Sequence, residues 1–142
     1  MTPREAFVEE AISWIGTRYH HAAMIKRTDE QDGGVDCIML LVAAGRAAGK
    51  VAKDFDPRPY PQYWYLHRDE EKYLNGIVGY CSRTPSPQRG DIALYSFGRT
   101  VSHGAIYLDE NYVLHAYAPN KVVCITESRA IADRFHSYWS ID

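Results

Sequence analysis

The hydrophobic periodicity of the sequence changes near Gly90, and this change constrains the fold more than any other feature. Before Gly90, apolar residues recur at helical spacing, whereas after it they alternate as they do along a β-strand. Short turns divide the second half into four predicted strands: Ile92–Phe97, Ser102–Leu108, Tyr112–Ala118 and Lys121–Thr126. Helices followed by an antiparallel meander predict an α+β domain.

The N-terminus carries the signals of a helix start. Thr2 is a suitable N-cap, Pro3 takes the first helical position, and Glu5 completes a capping box three residues after the cap. Gly16 suits the left-handed position that commonly ends a helix. We therefore predict a first helix that ends near Ile15.

A second helix is predicted to begin at Cys37. Asp36 is a suitable N-cap, and the run that follows is apolar on every side as far as Ala44, which is typical of a central, buried helix. A weaker helical pattern covers Trp64–Tyr80. Two segments without sustained periodicity, Thr17–Val35 and Asp54–Pro61, are predicted to be loops.

Length and charge narrow the class of protein. A chain of 142 residues, 46% of them hydrophobic, is long enough for one core, so residues 1–142 are predicted to form a single domain. The formal net charge of -2 lacks the positive field expected of a nucleic-acid binder. No apolar run approaches the ~20 residues that cross a bilayer. We expect no nucleic-acid or membrane partner and, because the N-terminus does not resemble a secretory signal, cytoplasmic synthesis without a signal peptide.

Cys37 occupies a position that favours a reactive thiol. In the first turn of a helix, unsatisfied N–H groups and the macrodipole stabilise a thiolate. The carboxylate of Asp36 opposes this effect, so a nucleophilic role requires a base. Cys37 is therefore a candidate nucleophile that needs a histidine or a similar partner.

Two histidines in neighbouring predicted strands could supply that partner. A three-residue turn over 109–111 would pair Leu108 with Tyr112 and place His103 and His115 on one face of the sheet, one diagonal step apart. A two-residue turn would place them on opposite faces. If both reach Cys37, then Cys37 is the nucleophile, His103 the base, and His115 the residue that orients the base.

Other interpretations of the same residues stay open. A cysteine in an apolar helix is often a small core residue, and a histidine in a strand is often a packing residue. Thiolate and imidazole also suit zinc, although the chain offers no closely spaced pair of ligands such as CxxC. We expect no metal and no cofactor.

Five short segments, in this order along the chain, resemble the NlpC/P60 superfamily of papain-like cysteine peptidases. They are Trp14–Tyr19, Gly34–Cys37, Arg89–Ala93, His103–Leu108 and Leu114–Ala116. Three further segments are similar to the phage and prophage branch of tail-associated or gene-transfer-agent cell-wall peptidases: Tyr19–Ala22, Tyr63–Tyr80 and Leu114–Tyr117.

The resemblance implies a papain-like core in which the helix that carries the nucleophile packs on a C-terminal antiparallel sheet. It implies cleavage of peptidoglycan stem peptides, usually between D-γ-glutamate and a diamino acid, through an acyl-enzyme. Cys37, His103 and His115 correspond to the catalytic triad. Tyr19 matches a tyrosine that lines the site, and Asp36 matches an aspartate that contacts the stem-peptide amine.

The phage branch further implies that tail proteins are partners and that the protein acts at the bacterial cell wall as part of a virion tail. One position departs from the family. Many cell-wall members have serine directly after the cysteine, whereas this chain has Ile38, which cannot form the same hydrogen bond to the substrate. This change leaves an alternative, in which the chain is a non-hydrolytic structural or binding component of a tail tip.

Overall fold

The computed structural model describes residues 1–58, 79–98 and 100–142. Helix α1 spans Pro3–Ser13 and begins with the predicted capping box. The backbone N–H of Glu5 donates to the hydroxyl of Thr2, and the Thr2 N–H donates to the Glu5 carboxylate, at 3.1 and 3.2 Å. Gly16 has a φ of 92°, so the chain leaves this region through the left-handed conformation that its glycine allows.

Helix α2 spans Cys37–Ala47 and begins where the sequence predicts. Asp36 is its N-cap, and its side chain accepts a hydrogen bond from the backbone N–H of Met39 at 2.9 Å. Most of its residues are buried, which confirms the prediction of a central helix.

The predicted loop between these helices contains a small sheet. Strand β1, Met24–Ile25, pairs antiparallel with β2, Gly34–Val35. Strands of two residues are too short to show an alternating pattern, so the sequence did not reveal them. Their pairing returns the chain to Asp36 and so positions the start of α2.

The main sheet is antiparallel and has six strands in the order β3-β8-β4-β5-β6-β7. The four predicted strands are present with ends shifted by at most two residues: β4 Ile92–Phe97, β5 Thr100–Tyr107, β6 Tyr112–Tyr117 and β7 Val122–Glu127. Short 3-10 segments, Ala118–Asn120 and Ser128–Arg134, flank β7.

Two strands of the sheet were not predicted. They are β3, Ser82–Arg83, and β8, Phe135–Ser140. Strand β8 comes last in the sequence but lies between β3 and β4 in the sheet. The side chains of β8 alternate only partly between buried and exposed, so the pattern that marks a strand is weak in its sequence.

The helices cover one face of the sheet, and a smaller cluster covers the other. The main core joins the helices to inward-facing strand residues, among them Phe7, Leu40, Leu94, Ile106 and Leu114. The smaller cluster contains Ala93, Tyr95, Ala105, Val113 and Ile131. The α+β prediction, with the Cys37 helix packed on an antiparallel sheet, is confirmed.

Two sequence predictions fall partly outside the described residues. The helix predicted over Trp64–Tyr80 lies outside the described residues except for its last two, which form a turn. The described part of the predicted loop Asp54–Pro61, up to Arg58, is irregular as expected. Within the described ranges, none of the helices combines the length and the apolar character that crossing a bilayer requires.

Candidate active site

His103 on β5 and His115 on β6 are in direct contact. The observed pairs Ile106 with Leu114 and Tyr107 with Val113 have the register that a three-residue turn predicts. This register brings Nε2 of His103 to 2.7 Å from Nδ1 of His115. Of the two turn lengths considered, the structure has the three-residue one, and it brings the two histidines together.

Both imidazoles are buried and held in the neutral form. His115 is fully buried, and His103 is 6% exposed. Burial lowers the pKa of His103 well below 6.5, and the proximity of His115 lowers this pKa further. Burial also lowers the pKa of His115 to about 4. A neutral imidazole has one nitrogen that can accept a proton, so His103 has the form that a general base needs at neutral pH.

Aromatic rings surround the histidine pair. The Tyr117 ring stacks on His115 with centroids 4.5 Å apart and planes 12° apart. Phe97 contacts His103 edge-on with centroids at 5.6 Å, and Tyr95 lies 6.0 Å from the same ring. These rings remove water from both imidazoles, which is the physical cause of their lowered pKa values.

Thr126 on β7 contacts the far side of the pair. Its Oγ1 lies 2.9 Å from Nε2 of His115. His115 pairs with Cys124 across the β6–β7 ladder, so Thr126 is its diagonal neighbour on the same face. Thr126 is not among the site residues predicted from the sequence. The register of the β6–β7 hairpin was the signal that could have found it.

The strand that carries His103 has a β-bulge directly before this residue. Tyr95 pairs with His103 and Ser96 with Val101, which leaves Ser102 as an extra residue on β5. The Ser102 hydroxyl accepts from the backbone N–H of Phe97 and donates to its carbonyl, at 3.2 and 3.1 Å.

The Ser102 carbonyl oxygen accepts a weak hydrogen bond from Cys37 Sγ at 3.9 Å. The thiol therefore lies beside the backbone that leads directly into His103. Nε2 of His103 is already bonded to His115, so Nδ1 is the ring nitrogen that remains for proton exchange.

Asp36 is buried and bonded to the backbone on both of its oxygens. Oδ1 accepts from Met39 N at 2.9 Å, and Oδ2 accepts from Ala22 N at 2.7 Å. Nδ1 of His21 lies 3.9 Å from the same carboxylate. Asp36 thus caps α2 and ties the preceding loop to it, and its predicted contact with a substrate amine stays a prediction.

Tyr19 lies next to the strand that leads into Asp36. It forms a parallel bridge with Val35, and its backbone N–H donates to the carbonyl of Lys121 at 2.9 Å. The side chain is half-buried against the main core. Val35, the bridge partner of Tyr19, is two residues before Cys37 in the chain. The predicted role of Tyr19 in lining the site stays a prediction.

Zinc binding is poorly matched to this geometry. Two imidazole nitrogens on one tetrahedral zinc ion are roughly 3.3 Å apart with the metal between them, whereas the facing nitrogens of His103 and His115 are 2.7 Å apart. That distance is a direct hydrogen bond. No group of three His, Cys, Asp or Glu side chains in the described ranges is placed to hold a metal ion.

No family model matches the sequence. A comparison with curated proteins gives no match either. Solved structures, by contrast, are similar over nearly the whole chain. The P60 domain of antigen MAP1204 from M. avium subspecies paratuberculosis has a TM-score of 0.63 and 17% identity, with 97% of this chain and 93% of that domain covered.

Two structures from Mycobacterium tuberculosis are also similar. The peptidoglycan hydrolase RipB has a TM-score of 0.62 and 18% identity over 97% of this chain, which spans 63% of the RipB chain. RipD is described as a non-catalytic NlpC/p60 domain protein adapted to peptidoglycan binding. It has a TM-score of 0.64 and 17% identity, with 99% of this chain and 97% of the RipD chain covered. At these identities the likeness establishes that the chain has the fold of NlpC/P60 domains.

Proposed function

We propose that this chain is a cysteine hydrolase that cleaves amide bonds in peptidoglycan stem peptides. The observation that carries the proposal is the hydrogen bond between His103 and His115, next to a thiol at the N-terminus of a helix. An imidazole base that is oriented by a second polar side chain, close to a cysteine, supports this chemistry because cysteine hydrolases combine a nucleophile, a base and an orienting residue.

The roles follow from which atoms are already bonded. Nδ1 of His103 accepts the proton of Cys37 Sγ as the sulfur attacks the substrate carbonyl carbon. The C–N bond then breaks, and His103 returns the proton to the leaving amine. Water then attacks the thioester carbon while His103 accepts its proton, and the C–S bond breaks. His103 returns this proton to Sγ, which restores the Cys37 thiol and releases the acyl product as a carboxylic acid. In every step His115 orients the His103 ring through the hydrogen bond at Nε2 of His103.

The finer assignment is that the scissile bond joins D-γ-glutamate to a diamino acid. It rests on the sequence resemblance at Gly34–Cys37 and His103–Leu108. Tyr19 and Asp36 are the proposed substrate contacts. Since both Asp36 oxygens already accept backbone N–H groups, a substrate amine would have to share an oxygen with one of them.

A second candidate function is peptidoglycan binding without hydrolysis. The specific observation is Ile38, which replaces the serine of many family members and packs half-buried against the main core. An isoleucine supplies no hydrogen bond to the substrate. RipD, with the same fold, is described as non-catalytic and peptidoglycan-binding, so the fold alone does not require turnover.

The experiment that separates these functions is mass spectrometry of defined stem peptides incubated with wild-type protein and Cys37→Ala. We expect cleavage by the wild type and at least a thousandfold slower cleavage by the variant, because the nucleophile is lost. Cys124→Ala is the matched control. It removes a thiol from the residue paired with His115 and should retain cleavage. Binding of the peptides without cleavage by the wild type would favour the second function.

We also propose that the protein acts at the bacterial cell wall as part of a phage tail, with tail proteins as partners and with synthesis in the cytoplasm. This proposal rests on the sequence similarity at Tyr19–Ala22 and Leu114–Tyr117. Peptide mass spectrometry of virions purified from an induced host strain tests it. Absence of the chain from virions that contain every other tail protein would contradict it.

A further inference from the structure

Thr126 ends a row of hydrogen-bonding side chains that begins at His103. Cys37 lies beside the backbone at His103, Nε2 of His103 contacts Nδ1 of His115, and Nε2 of His115 contacts Thr126 Oγ1. His115 therefore uses Nδ1 toward His103 and Nε2 toward Thr126. The proton positions along such a row depend on one another, because each contact needs one donor and one acceptor.

Protonation of His103 leaves only one possible arrangement. Once His103 has taken the thiol proton, both of its nitrogens are donors. Nδ1 of His115 must then accept, so His115 must carry its proton on Nε2. That N–H points at Thr126, whose hydroxyl oxygen must accept it.

We propose that Thr126 is a positioning residue for this site: it accepts the hydrogen bond from His115 that allows His115 to accept from protonated His103. The inference rests on the proposed function, in which His103 is the base. It adds a fourth residue, which acts through His115 and does not contact the reacting atoms. The hydrogen bond that Thr126 accepts contributes most when His103 is charged, so this bond stabilises the transition state more than the resting enzyme.

Removal of the hydroxyl makes the productive arrangement costly. In Thr126→Val, a proton on Nε2 of His115 would face a methyl group inside a half-buried site, and an unsatisfied N–H donor there is unfavourable. The proton moves to Nδ1 of His115, which then donates to His103. This leaves the proton of His103 on Nδ1, where it blocks proton transfer from the thiol.

The test compares Thr126→Val with Thr126→Ser, which keeps the hydroxyl. Valine is β-branched and suits strand β7, so both variants are compatible with the sheet. Nitrogen-15 NMR of histidine-labelled protein reports which ring nitrogen carries the proton. We expect His115 protonated on Nε2 in the wild type and in Thr126→Ser, and protonated on Nδ1 in Thr126→Val.

Alkylation of Cys37 by iodoacetamide at pH 7 gives a second readout that needs no substrate. We expect about a tenfold slower reaction in Thr126→Val and a rate within about twofold of the wild type in Thr126→Ser. Where stem peptides are cleaved, kcat should fall by a similar factor while KM stays unchanged.

The two proposals fail in different ways. Unchanged histidine proton positions and an unchanged alkylation rate in Thr126→Val would overturn the role of Thr126, whether or not the wild type cleaves peptides. A wild-type His115 protonated on Nδ1 would also overturn it. Absence of cleavage by a wild type whose NMR and alkylation respond to Thr126 would instead refute the hydrolase proposal alone.

Discussion

Acidification should destabilise this fold through His115 well before most carboxylates are protonated. Burial lowers the pKa of His115 from 6.5 to about 4 in the folded protein. Below pH 6.5 the unfolded chain binds a proton at this residue that the folded chain excludes, so the free energy of unfolding falls as the pH falls. The effect is absent above pH 7 and is fully developed near pH 4.

The size of the effect follows from the gap between the two pKa values. At about 1.4 kcal/mol per pH unit, a gap from 6.5 to about 4 corresponds to about 3 kcal/mol. Linkage places about 2 kcal/mol of this loss between pH 7 and pH 5. That is a large part of the stability of a domain of this size. The lowered pKa of His103 adds a loss of the same sign.

Urea denaturation at pH 7, 6 and 5 measures this loss, with His115→Gln as the comparison. The variant is less stable at pH 7 because hydrogen bonds are lost, but it lacks the proton-binding group. The slope of its unfolding free energy against pH should therefore be shallower than that of the wild type by about 2 kcal/mol over this range. Equal slopes would refute the conclusion that His115 is buried and neutral.

Two further substitutions test the local structure around the site. Asp36→Ala should lower the unfolding free energy by about 3 kcal/mol, because it removes both the cap of α2 and the acceptor for Ala22 N. Thr2→Ala removes a cap alone and should cost about 1 kcal/mol. Equal losses of unfolding free energy in urea denaturation would contradict this prediction. Gly33→Ala should lower the unfolding free energy by about 2 kcal/mol in the same measurement, because φ at Gly33 is 69° and a Cβ there would collide with the carbonyl oxygen of Ile25. An unchanged urea midpoint would exclude this strain.

Local signals account for the features that were predicted correctly. The capping box at Thr2 and the aspartate before Cys37 act on backbone N–H groups within three residues, so their effect is visible in the sequence. The β5–β6 register depends on the length of one turn, so the sequence reduced the placement of His103 and His115 to two alternatives, and the three-residue turn is the one observed.

Features that depend on distant residues were missed. Strand β8 has weak alternation of its own and is defined by its pairing with β4, at least 40 residues earlier in the chain. The bulge at Ser102 arises from a register shift between β4 and β5. The contact between Thr126 and His115 depends on the alignment of β6 with β7, which no single segment specifies.

Local sequence signals were enough to predict the class of fold, the start of both helices, and which three residues could form a nucleophilic site. These follow from periodicity, capping and turn length, which act over a few residues. Three properties of the site become visible only in the folded molecule: the imidazoles are neutral, Asp36 accepts backbone N–H groups, and Thr126 contacts His115. The physical reason is that burial and hydrogen-bond partners come from strands and loops far apart in the chain, and they exist only once the sheet and helices have packed.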